Sequence, residues 1–145
     1  MFERTLSAYD ADPGVRAVLV AFHHPPFTNS TVTGDEIHVQ RAFVPPFERA
    51  RKTVAILSGH VHGYERYERA GKSYVVSGGG GGPRAAFATG NARRHPDDRF
   101  DGPALRDFNF STYTIGDTAI AAEVHALPKG GTTWRIADRF QLAFP

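Results

Sequence analysis

Two apolar runs that each stop at histidine constrain this chain more than anything else in it. Residues 15–22 read VRAVLVAF and run into His23-His24-Pro25-Pro26-Phe27; residues 54–57 read VAIL and lead through Ser58-Gly59 into His60-Val61-His62. A short, nearly continuous apolar run is what a strand covered on both faces of a parallel or mixed sheet requires. Proline has no amide proton to give a central strand, so the chain must leave the sheet at Pro25-Pro26. Imidazole is a common ligand for zinc, iron, copper and nickel. Histidines at two strand tips therefore make a metal centre the leading functional idea.

The segments between the runs predict how the tips relate. Phe2, Leu6 and Tyr9 share one helical face over residues 1–9, and Asp10-Ala11-Asp12-Pro13-Gly14 breaks that helix. Residues 28–34 are loop-like; Asp35 can cap a helix carrying Ile37, Ala42 and Phe43, which Pro45-Pro46 should interrupt or end. The order is helix, strand, helix, strand. Parallel strands joined by such crossovers place their C-terminal ends on one edge of the sheet, where open α/β sheets bind ligands. His23 and His60 are 37 positions apart (60 − 23), a sensible length for one crossover, so the two sites are expected to converge.

Residues 73–77 (SYVVS) read as a third strand and end in five glycines, Gly78 to Gly82. This run lacks the Lys-Ser/Thr ending of a nucleotide P-loop. It reads as a permissive turn where backbone crowds a neighbour, or as a loop that shapes the metal pocket. Residues 83–103 have little periodicity and read as a long, partly mobile excursion. Beyond them the period becomes two. Residues 110–115, 119–126 and 132–142 read as antiparallel strands turning at Gly116-Asp117 and at Pro128-Lys129-Gly130-Gly131. Ile120, Ala122, Val124 and Ala126 fall on one face, with Glu123 and His125 on the other, so His125 is expected to face solvent. His38 and His95 are expected on an exposed loop or helix. No internal repeat or second domain is evident: residues 1–145 read as a single domain that opens abruptly on what resembles a mid-domain helix.

Composition narrows the chemistry. At 145 residues and 41% hydrophobic the chain can bury a core, and with no cysteine any metal must be held by His, Asp, Glu, Asn or backbone oxygen. The formal charge of +2 suits an anionic substrate but is too small to argue for nucleic acid. Arg84, Arg93, Arg94, Arg99 and Arg106 are interleaved with Asp97, Asp98, Asp101 and Asp107, so no clean basic stripe emerges. There is no signal-like core and no run of membrane-spanning length, which sets the expectation of a soluble protein, cytoplasmic by default, without a membrane partner.

With His23-His24-Pro25-Pro26-Phe27, then Gly59-His60-Val61-His62-Gly63-Tyr64-Glu65-Arg66, then a strand ending in glycines, the chain resembles the C-terminal half of a calcineurin-like metallophosphoesterase. The Tyr-Glu-Arg ending is most similar to the purple acid phosphatase branch. The resemblance covers roughly residues 2–82 and, more loosely, the final hairpins. It implies an α/β fold, a mixed β-sheet or β-sandwich flanked by helices, holding one or two Zn, Fe or Mn ions. Matched by position, His23 and His60 would bind one metal and His62 the other, while His24 would be the catalytic and substrate-side hydrogen-bond donor. Asn29 and His38 are weaker substrate-loop candidates; Tyr64, Glu65 and Arg66 read as structural, with Arg66 pairing a carboxylate. The implied activity is hydrolysis of a small-molecule phosphate ester by metal-activated water.

The chain departs from that family in lacking any Asp-x-His, and no Gly-Asn-His precedes His23. Gly34-Asp35, Gly90-Asn91 and Gly116-Asp117 imitate pieces of the missing motifs in the wrong order. The sequence thus reads as a truncated domain, expected to form a homo-oligomer that covers its open sheet. The alternative is a non-catalytic remnant serving as a metal-binding or assembly module.

Overall fold

Residues 53–58 form the central strand because nothing in TVAILS resists burial, and its two sides meet different layers. The computed structural model describes residues 1–100 and 102–145, apart from the side chains at 103 and 104; Asp101, one of the interleaved acids named above, lies outside the described residues. Helix α1 is Phe2–Ala11, β1 Val18–Ala21, α2 Ile37–Arg49, β2 Thr53–Ser58, β3 Tyr64–Arg69 and β4 Lys72–Ser77; then come β5 Phe108–Ile115, β6 Ala119–Leu127 and β7 Arg135–Ala143. One sheet has the order β1-β2-β4-β3 and the other β5-β6-β7. Strands β1, β2 and β4 run parallel and β3 is antiparallel to β4, so the first sheet is mixed. This is the α/β class that the sequence predicts, a mixed sheet with flanking helices backed by a second sheet.

Ile56, paired with Tyr74 of β4, packs with Phe27, Val44, Phe47 and Tyr67 on the helix side. Val54 and Ala55 meet Ile120 and Leu142 of the second sheet, and Val75 meets Tyr64 and Val124. The alternation expected for β6 holds, since Ile120, Ala122, Val124 and Ala126 are all buried. At the opposite edge β1 pairs, among the described residues, with β2 alone, and Leu19 and Ala21 are exposed there. No helix among the described residues is long and apolar enough to cross a membrane.

Three expectations need correction, and one strand was not foreseen. Helix α2 runs through Pro45 and Pro46 instead of ending there. Proline's fixed φ is compatible with helix and its cost is the missing amide bond; here burial of Val44 and Phe47 and the Ala50 N–H to Pro46 O bond hold the last turn. The helix is capped by Glu36, which accepts from the His38 N–H, whereas Asp35 is spent elsewhere. Tyr64 to Arg69 is a fully paired strand, with no alternation to reveal it because Tyr64, Glu65, Arg66 and Tyr67 are all buried. Residues 83–100, expected to be partly mobile, are tied down by bridges from Phe87 to Ser30 and from Asp98 to Tyr67.

Candidate metal centre

Strands β1 and β2 continue their pairing past their formal ends: Phe22 N–H donates to Leu57 O, and Gly59 N–H to His23 O at 3.0 Å. That last bond holds the two histidine loops side by side. After Gly59 the chain turns tightly, with Val61 N–H to Gly59 O and Gly63 N–H to Val61 O, and His60 takes a left-handed backbone at φ 61°. A non-glycine residue rarely sits there, and such strain tends to be kept where it aims a side chain.

The result is a group of three imidazoles, His23, His24 and His60, each offering a ring nitrogen within 4.8 Å of the others. His23 Nε2 lies 3.1 Å from His60 Nδ1. The His24 ring centroid is 4.2 Å from that of His60 and 4.9 Å from that of His23. Two imidazole nitrogens that both ligate one cation at about 2.0–2.1 Å stand roughly 2.9–3.4 Å apart for octahedral to tetrahedral angles. The His23–His60 separation falls in that range, and an all-imidazole set suits zinc or iron better than manganese. Burial, followed by the neighbouring His24, His23 and His62, holds the His60 ring below the ordinary histidine value, which keeps its lone pair available. The Glu36 carboxylate, which sequence reasoning missed, acts weakly the other way.

His62 stands apart, in no group of three ligand atoms among the described residues. Its Nδ1 is 2.7 Å from Pro83 O, so the ring proton belongs there and Nε2 is left as an acceptor. Gly82 lies flat against this ring, so close that a Cβ would overlap His62 Cε1 and Nδ1. The glycine run is therefore a close approach, at Gly78 onto the Val61 carbonyl and at Gly82 onto His62.

The weaker site residues are not brought to the cluster. Asn29 is buried with its side chain fully spent: Nδ2 donates to His95 O and Asp98 Oδ2, and Oδ1 accepts from His95 N–H. His38 is exposed in the first turn of α2. His95, expected to be exposed, has a largely covered side chain; its Nε2–H donates to Asp35 and its Nδ1 accepts from Arg69. His125 is half-buried and stacked on Phe110 at 4.7 Å. Arg66 does pair a carboxylate, Asp138, at 2.8 Å, and Tyr64 OH donates to the same group. Beside His23 opens a cleft of about 510 Å³ whose polar lining includes Ser58, Ser77, Ser111 and Tyr113. These four come from three strands far apart in sequence, β2, β4 and β5, which no local pattern signals.

No protein-family description matches the chain, and no curated protein does. Among solved structures, one described as GAP50, the anchor in the inner membrane complex of Plasmodium, superposes with a TM-score of 0.78 over 99% of this chain at 15% identity. The two share a fold. This chain covers 41% of that structure's length, so it corresponds to about two-fifths of the larger molecule. Vacuolar Protein Sorting 29 from Cryptosporidium parvum matches over 59% of this chain and 36% of its own, at 17% identity and a TM-score of 0.36, too loose to carry an argument.

Proposed function

We propose that this chain is the histidine-bearing part of a metal-dependent phosphoesterase of the calcineurin-like kind, similar to the purple acid phosphatase branch. The grouping of His23, His24 and His60 at the C-terminal ends of adjacent parallel strands is the observation that carries this reading. A bound zinc or iron would polarise a phosphoryl oxygen and bring bound water toward ionisation near neutral pH. The chain's own part is to hold and orient. His23 and His60 present nitrogens 3.1 Å apart, and His24 stands at the exposed side, as third ligand or as donor to a phosphoryl oxygen. The adjoining cleft is of a size for a small phosphate ester. Strand β1 offers an open edge for a second copy, in keeping with a homo-oligomer.

A second reading, a non-catalytic metal-binding or assembly module, is favoured by a specific feature. The three-residue group contains imidazoles alone, and His62 is outside it, so it offers no carboxylate to bridge a second ion. Metal analysis combined with turnover of an aryl phosphate separates the two. The enzyme reading expects one bound ion and a rate abolished by His60→Ala. The module reading expects the ion without turnover across a panel of esters; no ion and a rate indifferent to His60→Ala would end the first.

A further inference from the structure

The segment that holds His62 in place also helps to line a cleft of about 520 Å³, formed by Gly82, Pro83, Arg84, Arg106, Phe108 and Lys129. Three of its six lining residues are cations and none is an acid. We propose that this cleft is a second binding site, for a small phosphate-bearing anion such as an oligophosphate or phosphate monoester. The site is separate from the histidine cluster and does not depend on a metal there, since no histidine lines it.

Arg84 carries the argument. Its side chain is only 17% exposed, yet its nearest carboxylate oxygen, on Asp107, is 4.0 Å from Nη1. Its Nη2 reaches Leu127 O at 3.5 Å, and its Nε has no partner among the described residues. Asp107 is itself engaged at 3.0 Å by Arg135, which leaves little of its charge for Arg84. By contrast Arg66, Arg69 and Arg139 each have a carboxylate within 2.9 Å. A largely buried guanidinium with five N–H groups and such thin satisfaction keeps donor capacity that an anion in the cleft can use.

The surroundings are arranged to receive that anion. The Arg84 guanidinium stacks 4.5 Å over the Phe108 ring, which holds its plane without using its donors. Arg106, anchored through Nε to Ala85 O at 2.7 Å, lines the cleft with its terminal nitrogens not used by that bond, and Lys129 adds an exposed charge from the turn before β7. Forked guanidiniums and an ammonium converging on a pocket of this volume suit the several acceptor oxygens of phosphate. The acids interleaved along residues 97–107 deny the longer cationic stripe that a nucleic-acid backbone would need.

Calorimetric titration of chelator-treated protein with inorganic triphosphate at 0.15 M salt tests this. The expected result is saturable binding with one site per chain, retained in His60→Ala. It should weaken roughly tenfold or more in the Arg106→Gln/Lys129→Gln double variant, as expected for loss of charge-assisted bonds. Arg4→Gln/Arg41→Gln, which removes the same charge from exposed positions on α1 and α2, should leave it unchanged. Thermal melts check that both double variants are folded. Absence of saturable binding, or equal weakening in the two double variants, overturns the proposal. A parallel sedimentation with phosphatidylserine vesicles separates the sources of phosphate: cleft-dependent vesicle binding without triphosphate binding would overturn the small-molecule site.

Discussion

His60 and His95 each sit among close ring neighbours, yet they occupy opposite kinds of environment. Around His95 the polar side chains are bonded to one another. Asp35 accepts from His95, Thr28 N–H and Gln40; Arg69 grips Asp97 bidentately; Asn29 closes on His95 and Asp98. Burial acts to raise the Asp35 carboxyl, but the bonds from His95 and Thr28 and the Arg94 charge outweigh it and hold it below the usual range. Beneath lies Glu65, fully buried and accepting from Thr28 Oγ1, Asn29 N–H and Tyr67 OH. Around His60, the ring nitrogens of His60 and His23 face only each other across 3.1 Å, one accepting from the other according to tautomer, on a strained backbone. One region converts polar side chains into architecture; the other leaves ligand capacity unspent. Unspent capacity, more than residue type, marks where chemistry can occur.

Breaking the first region should cost stability and leave metal binding alone. Glu65→Gln removes the charge and sets an NH2 against the Thr28 hydroxyl, even with the amide oxygen still accepting from Asn29 N–H and Tyr67 OH, and should cost about 3 kcal/mol in urea unfolding, with metal affinity unchanged. Outside that region, a smaller effect of about 1–2 kcal/mol is expected for Gly82→Ala, whose methyl group must push the His62 ring aside; chemical shifts of His62 should report the move. Breaking the second region should do the reverse. His60→Gly relieves the left-handed backbone and should stabilise the metal-free protein by about 1 kcal/mol while lowering metal affinity more than about 100-fold, beyond the loss typical of an outer-shell partner.

The smallest effect is in pH dependence. The His60 ring is held below 6.5, so as pH falls past that value the unfolded chain takes up a proton that the folded chain resists. Stability of the metal-free protein should therefore decline with falling pH in that window, and His60→Gln should flatten the decline. An unchanged profile in the variant would contradict the assignment.

What could be read in the sequence follows the same division. The parallel strands and the meeting of His23 with His60 were legible, because apolar runs and crossover length fix which ends share an edge. The antiparallel sheet was legible from its period of two. Strand β3 was not, since Tyr64-Glu65-Arg66-Tyr67 hides buried charges whose partners, Thr28 and Asp138, are 37 and 72 residues away. The continuation of α2 through Pro45-Pro46 was decided by Phe47 in the core, a tertiary effect that local propensity opposes. The fates of His62 and His95 could not be read either: Pro83 and Asp35 claim them through contacts that only the folded chain creates.

The central claim is that His23 and His60, with His24 beside them, hold one cation between two strand tips. Its most direct test is Co2+ titration followed by absorption spectroscopy, with bound metal counted by elemental analysis. The account predicts one ion per chain with nitrogen-dominated coordination, lost in His60→Ala and retained in His95→Ala. No stoichiometric ion, or equal retention in both variants, would contradict it.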